Sequence, residues 1–374
     1  MAGYIMNMND IEAVKKCIEE GVYSTILGRP KKEKWGRAQE GTFADYFSMK
    51  PGNHIYFFCK RKIYGIGEIV EINADCKYLN YVDADEPIDY SEKEYYERKP
   101  LLSLGSVNNR CFCTFKPKPC FFEQGVDMDD ALNSNPAKFR MLRAMWKVSF
   151  IKVDEEEDKA LRDIILKRNE EELYSREKIF EYFPEKHEYI KHNVSSNYRM
   201  SAYKLLASCK HEENSKIKHE MAIEAALCEL LSKKSDTLFG HWDYISHQVI
   251  ASPFKAIDYM DKMDIFGYRY IKGYDTISKY MVIEIKKDAA QRDVIDQIMK
   301  YVDWIQSEYT HGDYSMIEAY VVAEDFSKEI IEYKNERCVR YFTKGFRPSI
   351  PCIWRNIKLI QYEYKNQELV YKEI

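Results

Sequence analysis

The sequence predicts a mixed α+β or α/β protein of two domains joined by a helical connector. Its 374 residues are long for one hydrophobic core, which favours more than one domain. The composition also shifts sharply between the domains, to a charged stretch of helical period from Asp154 to about Lys218. We therefore predict a β-rich domain over residues 1–155, a connector over 156–215, and an α/β domain over 216–374.

The overall composition excludes neither an enzyme nor a binding protein, but it argues against a membrane protein. The formal net charge of −4 does not indicate nucleic-acid binding, although a local basic surface is compatible with this net charge. The N-terminal residues lack the pattern of a signal peptide, and no apolar run approaches the roughly 18 residues of a membrane span. We expect a cytoplasmic protein with no membrane partner.

Two strands are the clearest elements of the first domain, over residues 54–59 and 63–70. Lys60 and Arg61 lie in the short basic turn between them. Residues 50–53, Lys-Pro-Gly-Asn, have turn chemistry, and a strand over residues 146–153 is expected to close the sheet. Residues 77–130 read as an insertion.

The order helix, MKPGNHIYFF, short turn and YGIGEIVEI resembles the PUA-like superfamily, and within it the EVE domains. This resemblance implies a β-barrel that holds a flipped or modified base in an aromatic-walled pocket. Basic residues that could meet phosphates interleave with aromatic residues that could stack on bases. The alternative is a solvated loop in which the tryptophan packs on the barrel. The candidate nucleic-acid or base-binding residues are Trp35, Lys34, Arg37, Phe43, Tyr46, Lys60 and Arg61.

Cys111, Cys113 and Cys120 form the tightest group among the ten cysteines. They could supply three zinc ligands, but no CxxC pair or histidine partner accompanies them. Buried cysteines of a strand are the competing interpretation.

The connector is charged and has a helical period. Leu161, Ile164 and Ile165 form an apolar stripe, which favours a packed helix over a free linker. The acidic run over residues 154–158 is typical of a helix N-terminus, where the helix dipole favours negative charge.

The second domain is organised around two strands, predicted over residues 264–270 and 280–286. Side chains alternate along a strand, so Glu284 and Lys286 point the same way. Residues 272–275, Lys-Gly-Tyr-Asp, predict a hairpin turn between the two strands. Asp264 at the start of one strand can therefore converge with Glu284 and Lys286 at the end of the other.

This arrangement resembles the PD-(D/E)xK nuclease superfamily. On the helix that follows, Gln297 and Tyr301 are four residues apart and share a face, like the QxxxY signature of the RecB-like branch. The whole stretch looks most like the nuclease domain of NucS-type endonucleases. The predicted order of helix, three strands, helix and strand is the αβββαβ core of restriction-endonuclease-like proteins. The resemblance also implies a glutamate on the first helix, for which Glu224 fits better than Glu220.

The clustered carboxylates predict a divalent cation, Mg²⁺ or Mn²⁺, because two close acids repel unless a cation neutralises them. Asp264, Glu284 and the backbone carbonyl of Ile285 are the candidate metal ligands, with Asp258 or Asp261 as alternatives to Asp264. Lys286 would orient or deprotonate the attacking water and balance the charge on phosphorus. An exposed ion pair at a strand end is the alternative for Glu284 and Lys286.

The expected function is a metal-dependent DNA endonuclease, targeted by the first domain and concerned with restriction or defence against phage. DNA repair on mismatched or branched DNA, and a nucleic-acid-binding protein on a nuclease scaffold, are the alternatives. Cutting both strands needs two sites, so we expect a homodimer. Its candidate surfaces are the apolar stripe of the connector and the Tyr-rich C-terminus, with Tyr362, Tyr364 and Tyr371.

Overall fold

The computed structural model of the chain has two compact units, Met1–Ser201 and Ala202–Ile374. Residues 156–201 of the predicted connector belong to the first unit, and residues 202–210 to the second. The residues that the structure describes are 2–102, 106–145, 148–210, 216–233, 237–252 and 260–374.

The first unit is built on one eight-stranded sheet with the strand order β2-β6-β4-β3-β1-β8. Strand β5 pairs with β6 and β7 pairs with β4, beside this path. The strands are β1 (Gly3–Met8), β2 (Val22–Ile26), β3 (His54–Cys59), β4 (Lys62–Ile69), β5 (Lys77–Leu79), β6 (Asn109–Pro117), β7 (Val126–Asp127) and β8 (Phe150–Val153).

Strands β3 and β4 form the predicted hairpin, and the turn between them has only two residues. Lys60 and Arg61 both have positive φ, 47° and 66°, as the two central residues of a tight hairpin turn require. Every residue of β3 is buried, so this strand lies at the centre of the core. Gly52, with φ of 89°, occupies the turn before β3 that the sequence predicts.

Residues 77–130 are not an insertion, because they supply a central strand of this sheet. Strand β6 pairs with β2, β4 and β5, and it is buried over most of its length. Cys111 and Cys113 lie on it, and burial raises the pKa of both thiols. They therefore stay neutral, as expected of buried strand cysteines; Cys120 is buried in the loop that follows.

Helices of the first unit cover the sheet and include much of the predicted connector. The Asp158 carboxylate accepts hydrogen bonds from the Tyr56 hydroxyl at 2.9 Å and pairs with His54 Nδ1 at 2.8 Å. The acidic run thus begins a helix, as predicted, and also anchors that helix to β3. The helices are α1 (Ile11–Glu20), α2 (Arg37–Phe47), α3 (Glu92–Glu97), α4 (Met128–Ser134), α5 (Met141–Met145), α6 (Glu155–Arg168), α7 (Glu170–Ser175) and α8 (Glu185–Asn193).

The second unit has a six-stranded mixed sheet with the order β16-β15-β12-β11-β10-β9 and a separate two-stranded hairpin, β13-β14. Its strands are β9 (Tyr244–Ile250), β10 (Lys262–Tyr270), β11 (Ile277–Ile285), β12 (Ile317–Ala323), β13 (Arg340–Lys344), β14 (Ile350–Trp354), β15 (Ile357–Lys365) and β16 (Glu368–Glu373). Its helices are α9 (Ala202–Ser208), α10 (Glu220–Ser232), α11 (Arg292–Glu308) and α12 (Lys328–Arg337).

The predicted order of a helix, three strands, a helix and a strand is present as α10, β9, β10, β11, α11 and β12. Strands β9, β10 and β11 are antiparallel neighbours, while β11 and β12 run parallel. Helix α11 packs its apolar stripe, which includes Val294, Ile298 and Ile305, into the core. In the described part of the chain, no helix has both the length and the apolar character to cross a membrane.

Candidate functional site

The strand register brings three polar side chains into one row across the second unit's sheet. Ile265 pairs with Ile283 on β11 and with His247 on β9. One step along this register, Asp264 lies opposite Glu284 on one side and Gln248 on the other. Cross-strand neighbours share a face of the sheet, so the three side chains converge. Asp264 also caps the β10-β11 ladder, since its Oδ2 accepts the Ile285 N–H at 2.7 Å.

Burial and mutual repulsion shape the protonation of the two acids. Glu284 is only 1% exposed. Burial raises the pKa of Glu284 from 4.5 to about 7, although Lys286 pulls this pKa down. Burial, and then the charges of Glu284 and Glu224, raise the pKa of Asp264 well above its usual value. The site therefore concentrates more negative charge than it can hold without a proton or a cation.

Lys286 lies against Glu284, as their alternation along the strand predicts. Its Nζ donates to Glu284 Oε1 at 2.7 Å. Burial alone would lower the pKa of Lys286, but the Glu284 and Glu220 charges leave it raised. The pair is largely buried rather than an exposed ion pair at a strand end, so Lys286 carries a positive charge into the acidic group.

Helix α10 adds Glu224 to this group. Both carboxylate oxygens of Glu224 accept from Gln248 Nε2 at 3.1 Å, and the same nitrogen lies 3.4 Å from Asp264 Oδ1. Glu220, one turn earlier, instead accepts the backbone N–H of Lys287 at 3.3 Å. Glu224 is thus the helix glutamate linked to Asp264, whereas Glu220 lies at the edge, near Lys286.

Gln248 is a site residue that the sequence analysis missed. It is the one strand residue in this row with a left-handed backbone, at φ of 53°. A non-glycine residue in that region costs about 1 kcal/mol or more, and such strain is concentrated at functional sites. No pattern in the sequence marks this glutamine, because its role depends on pairing with β10.

Gln297 and Tyr301 on α11 act on the edge of β10. Gln297 Nε2 donates to the Tyr301 hydroxyl at 2.9 Å, and that hydroxyl donates to the Lys262 carbonyl at 2.8 Å. Tyr301 is buried, and burial raises the pKa of its hydroxyl. This chain of hydrogen bonds fixes β10 two residues before Asp264, so its role is to position the strand.

The three aromatic residues expected to stack on bases are instead core residues of the first unit. Trp35 is 2% exposed, its Nε1 donates to the Asp85 carbonyl at 3.0 Å, and Phe43 packs edge-on against it. Tyr46 is fully buried and donates to the Cys111 carbonyl at 3.0 Å. A base could stack on these rings only if the core opened, because side-chain packing covers them.

The basic residues of the same prediction lie at the surface, apart from one. Arg37, Lys60 and Arg61 are exposed, and Lys34 is half-buried. Arg61 forms an exposed ion pair with Asp129 at 2.6 Å. An exposed ion pair of this kind contributes little to stability, so a phosphate could replace Asp129 as the partner of the Arg61 guanidinium.

The apolar residues expected to serve a dimer are largely buried within the chain. Leu161, Ile164 and Ile165 are at most 5% exposed and pack in the first unit. Tyr362 is buried as well and donates to the Lys287 carbonyl. Tyr364 and Tyr371 are half-buried. None of the residues predicted for the dimer interface is therefore a well-exposed apolar residue.

The donor set suits a hard divalent cation such as Mg²⁺ or Mn²⁺. Glu224 and Asp264 are linked through Gln248 Nε2, Asp264 lies beside Glu284 in the strand register, and Glu284 Oε2 is buried with no hydrogen-bond partner. A cation would stabilise this orphaned, buried carboxylate oxygen, which lies in a group whose pKa values are raised. The carbonyl of Ile285, the last residue of β11, lies between the two charged side chains in the chain. Asp261 is exposed, and Asp258 lies outside the described residues.

Comparisons with known proteins identify neither a family nor an activity. No protein-family profile matches the sequence, and none of the curated proteins does. Protein Atu2648 from Agrobacterium tumefaciens, a crystal structure, is 16% identical over 44% of this chain and 92% of its own, with a TM-score of 0.27. A hypothetical protein from Leishmania major is 13% identical over 46% of this chain and 96% of its own, with a TM-score of 0.29. Likeness at this level carries no argument about this protein.

Proposed function

We propose that the chain is a metal-dependent DNA endonuclease of the PD-(D/E)xK type, whose second unit hydrolyses phosphodiester bonds. The observation that carries the proposal is the convergence of Asp264, Glu284 and Lys286 across paired strands. Burial makes this arrangement costly to a folded protein, and a purely structural site has no need of it. The αβββαβ order of elements, with Gln297 and Tyr301 on α11, supports the same conclusion.

A bound Mg²⁺ would supply Lewis-acid chemistry and a water of lowered pKa. Asp264 and Glu284 would hold the cation. Glu224 would join them, since Gln248 Nε2 already links its carboxylate to that of Asp264. Lys286 is held by Glu284 and keeps its proton, because its pKa is raised. Its role is therefore to stabilise the negative charge that develops on the phosphoryl oxygens, rather than to remove a proton from water.

The first unit would select the target in this proposal, as an EVE-like reader of a modified or flipped base. With Trp35, Phe43 and Tyr46 in the core, the better candidate for the base is a cavity of about 550 Å³ between α1 and β2. Asn109, Ser24 and Thr25 are among its lining residues, which offer several hydrogen-bonding groups to a base. Restriction of modified phage DNA is the biological role that joins the two units.

The direct test is cleavage of matched phage DNAs that differ only in base modification, with Mg²⁺ or Mn²⁺. Glu284→Ala and Lys286→Ala should each abolish cleavage while DNA binding remains. Asp264→Asn should also lose metal affinity, because an amide lacks the carboxylate charge; titration calorimetry measures this directly. Exposed Lys159→Ala on α6 serves as the matched control. Full activity in the Glu284 or Lys286 variant would exclude the nuclease assignment.

The reader role has its own test. Asn109→Ala in the cavity should reduce discrimination between modified and unmodified DNA while cleavage of a preferred substrate at saturation changes little. Equal discrimination by the variant and the parent would remove the cavity from the proposal. Preference for mismatched or branched DNA over modified DNA would instead favour a role in repair.

A further inference from the structure

The β13-β14 hairpin stands apart from the six-stranded sheet and carries an unusual concentration of positive charge. Residues 337–362 contain no aspartate or glutamate, although acidic residues outnumber basic ones in the whole chain by 61 to 57. The basic residues of this segment are Arg337, Arg340, Lys344, Arg347, Arg355 and Lys358.

The base of the hairpin is fixed to the rest of the second unit. Arg340 makes a bidentate ion pair with Asp303 on α11, with both distances at 2.8 Å. Trp354 is buried, and its Nε1 donates to the Ile317 carbonyl at 2.9 Å. Phe342 packs on Tyr314 with ring centres 5.8 Å apart. These contacts all lie on one face of the hairpin, so they give it a defined orientation.

The tip and the other face of the hairpin are open. Phe346 is 96% exposed and Tyr341 is 75% exposed, with Ile353 paired opposite Tyr341 on the same face. Arg347 and Arg355 are exposed, and neither has an ion-pair partner among the described residues. Exposed apolar residues beside unpaired arginines have no role in the folded unit itself, which points to a binding surface.

We propose that this hairpin is a docking element for the DNA duplex, in which Arg347 and Arg355 contact phosphates and Phe346 contacts a groove. The charge decides between occupants. Arg337, Arg340, Lys344 and Lys358 are ion-paired to Asp296, Asp303, Asp313 and Glu373, so the unpaired positive charge is that of Arg347 and Arg355. This charge is complementary to a polyanion and repels a second copy of itself. This inference rests on the proposed function, because it places the substrate of the same site.

The sheet fixes how far the hairpin lies from the cleavage site. Strand β12 contacts both the candidate site and the base of the hairpin. Its Val322 carbonyl accepts the Lys286 N–H, and its Ile317 carbonyl accepts the Trp354 Nε1–H. Five residues of strand separate these points, or about 17 Å at about 3.3 Å per residue. That is about five base pairs of duplex at about 3.4 Å each. The base of the hairpin, at Trp354, therefore lies about half a helical turn of duplex from Lys286, and its tip extends further.

The test measures binding of the full chain to a fluorescent 30-base-pair duplex in chelator, where no cleavage occurs, at several salt concentrations. The double variant Arg347→Ala, Arg355→Ala should reduce the slope of log affinity against log salt by about 2, because each phosphate contact contributes about 0.9. Phe346→Ala should weaken binding about tenfold without changing that slope, because the apolar ring would no longer be buried in the groove. The matched controls are Lys159→Ala for charge and Tyr174→Ala, a 79% exposed aromatic of the first unit, for apolar surface.

The outcomes separate the hairpin from the nuclease. If the wild type cuts DNA and the hairpin variants bind with the wild-type affinity and slope, the hairpin inference is overturned and the nuclease proposal stands. If the hairpin variants lose binding but no condition gives cleavage, the docking element stands and the nuclease fails. A change from dimer to monomer in sedimentation, or binding to phosphatidylserine vesicles in place of DNA, assigns the hairpin to another occupant and overturns the inference.

Discussion

Replacing Glu284 with glutamine should stabilise the metal-free protein at alkaline pH while it abolishes cleavage. Burial raises the pKa of Glu284 from 4.5 to about 7. Above pH 7 the folded protein must hold this carboxylate charged, at a cost of about 1.4 kcal/mol for each pKa unit, or about 3 kcal/mol. The amide is nearly isosteric and uncharged, so the variant does not carry this cost.

The sign of the pH dependence follows from the direction of the shift. A carboxyl group whose folded-state pKa is raised contributes stability below pH 4.5, and loses that contribution as the pH rises through about 7. Wild type and variant should therefore unfold alike at pH 4.5 and diverge up to pH 8. For a unit of this size, about 3 kcal/mol corresponds to about 6–12 °C in Tm.

Thermal unfolding in chelator at pH 4.5, 6 and 8 measures this effect, with hydrogen exchange of β10 and β11 to assign the transition. Glu336→Gln, at an exposed glutamate of α12, is the matched control and should leave Tm unchanged. Added Mg²⁺ should raise the Tm of wild type more than that of the variant, because the cation binds the carboxylate. A variant less stable than wild type at pH 8, or equally stabilised at pH 4.5 and pH 8, would refute the reasoning.

Three further results are expected. In chelator, Gln248→Ala should lower the free energy of unfolding by about 1–3 kcal/mol, and with it the Tm, because Glu224 and Asp264 lose their shared donor. Added Mg²⁺ should restore the Tm. Gln248→Gly should be destabilised less than Gln248→Ala, because glycine tolerates the positive φ of this position. Tyr301→Phe should cost about 0.5–1.5 kcal/mol and increase hydrogen exchange near Lys262, whose carbonyl loses its donor; unchanged exchange there would contradict the positioning role. Trp35→Ala should destabilise the first unit by about 3–5 kcal/mol in thermal unfolding, as expected for a core residue; a variant of normal Tm that had lost only DNA binding would return this tryptophan to the binding surface.

The sequence by itself was sufficient for the order of helix, three strands, helix and strand in the second unit and for part of its site, but not for β13, β14 and β16. Alternation along β11 places Glu284 and Lys286 on one face, and the four-residue spacing on α11 places Gln297 beside Tyr301; the structure has hydrogen bonds in both pairs. Both relations lie within a single element, where the geometry of a strand or a helix fixes which side chains meet.

Relations between elements needed the tertiary structure. The link of Glu224 to Asp264 through Gln248 depends on the packing of α10 and on the register of β9 with β10. The hydrogen bond from the Ile285 N–H to Asp264 depends on the register of β10 with β11. Burial decided the rest. An aromatic residue beside basic ones has the same sequence pattern whether its ring meets a base or the core, and only packing placed Trp35, Phe43 and Tyr46 inside while leaving Phe346 outside.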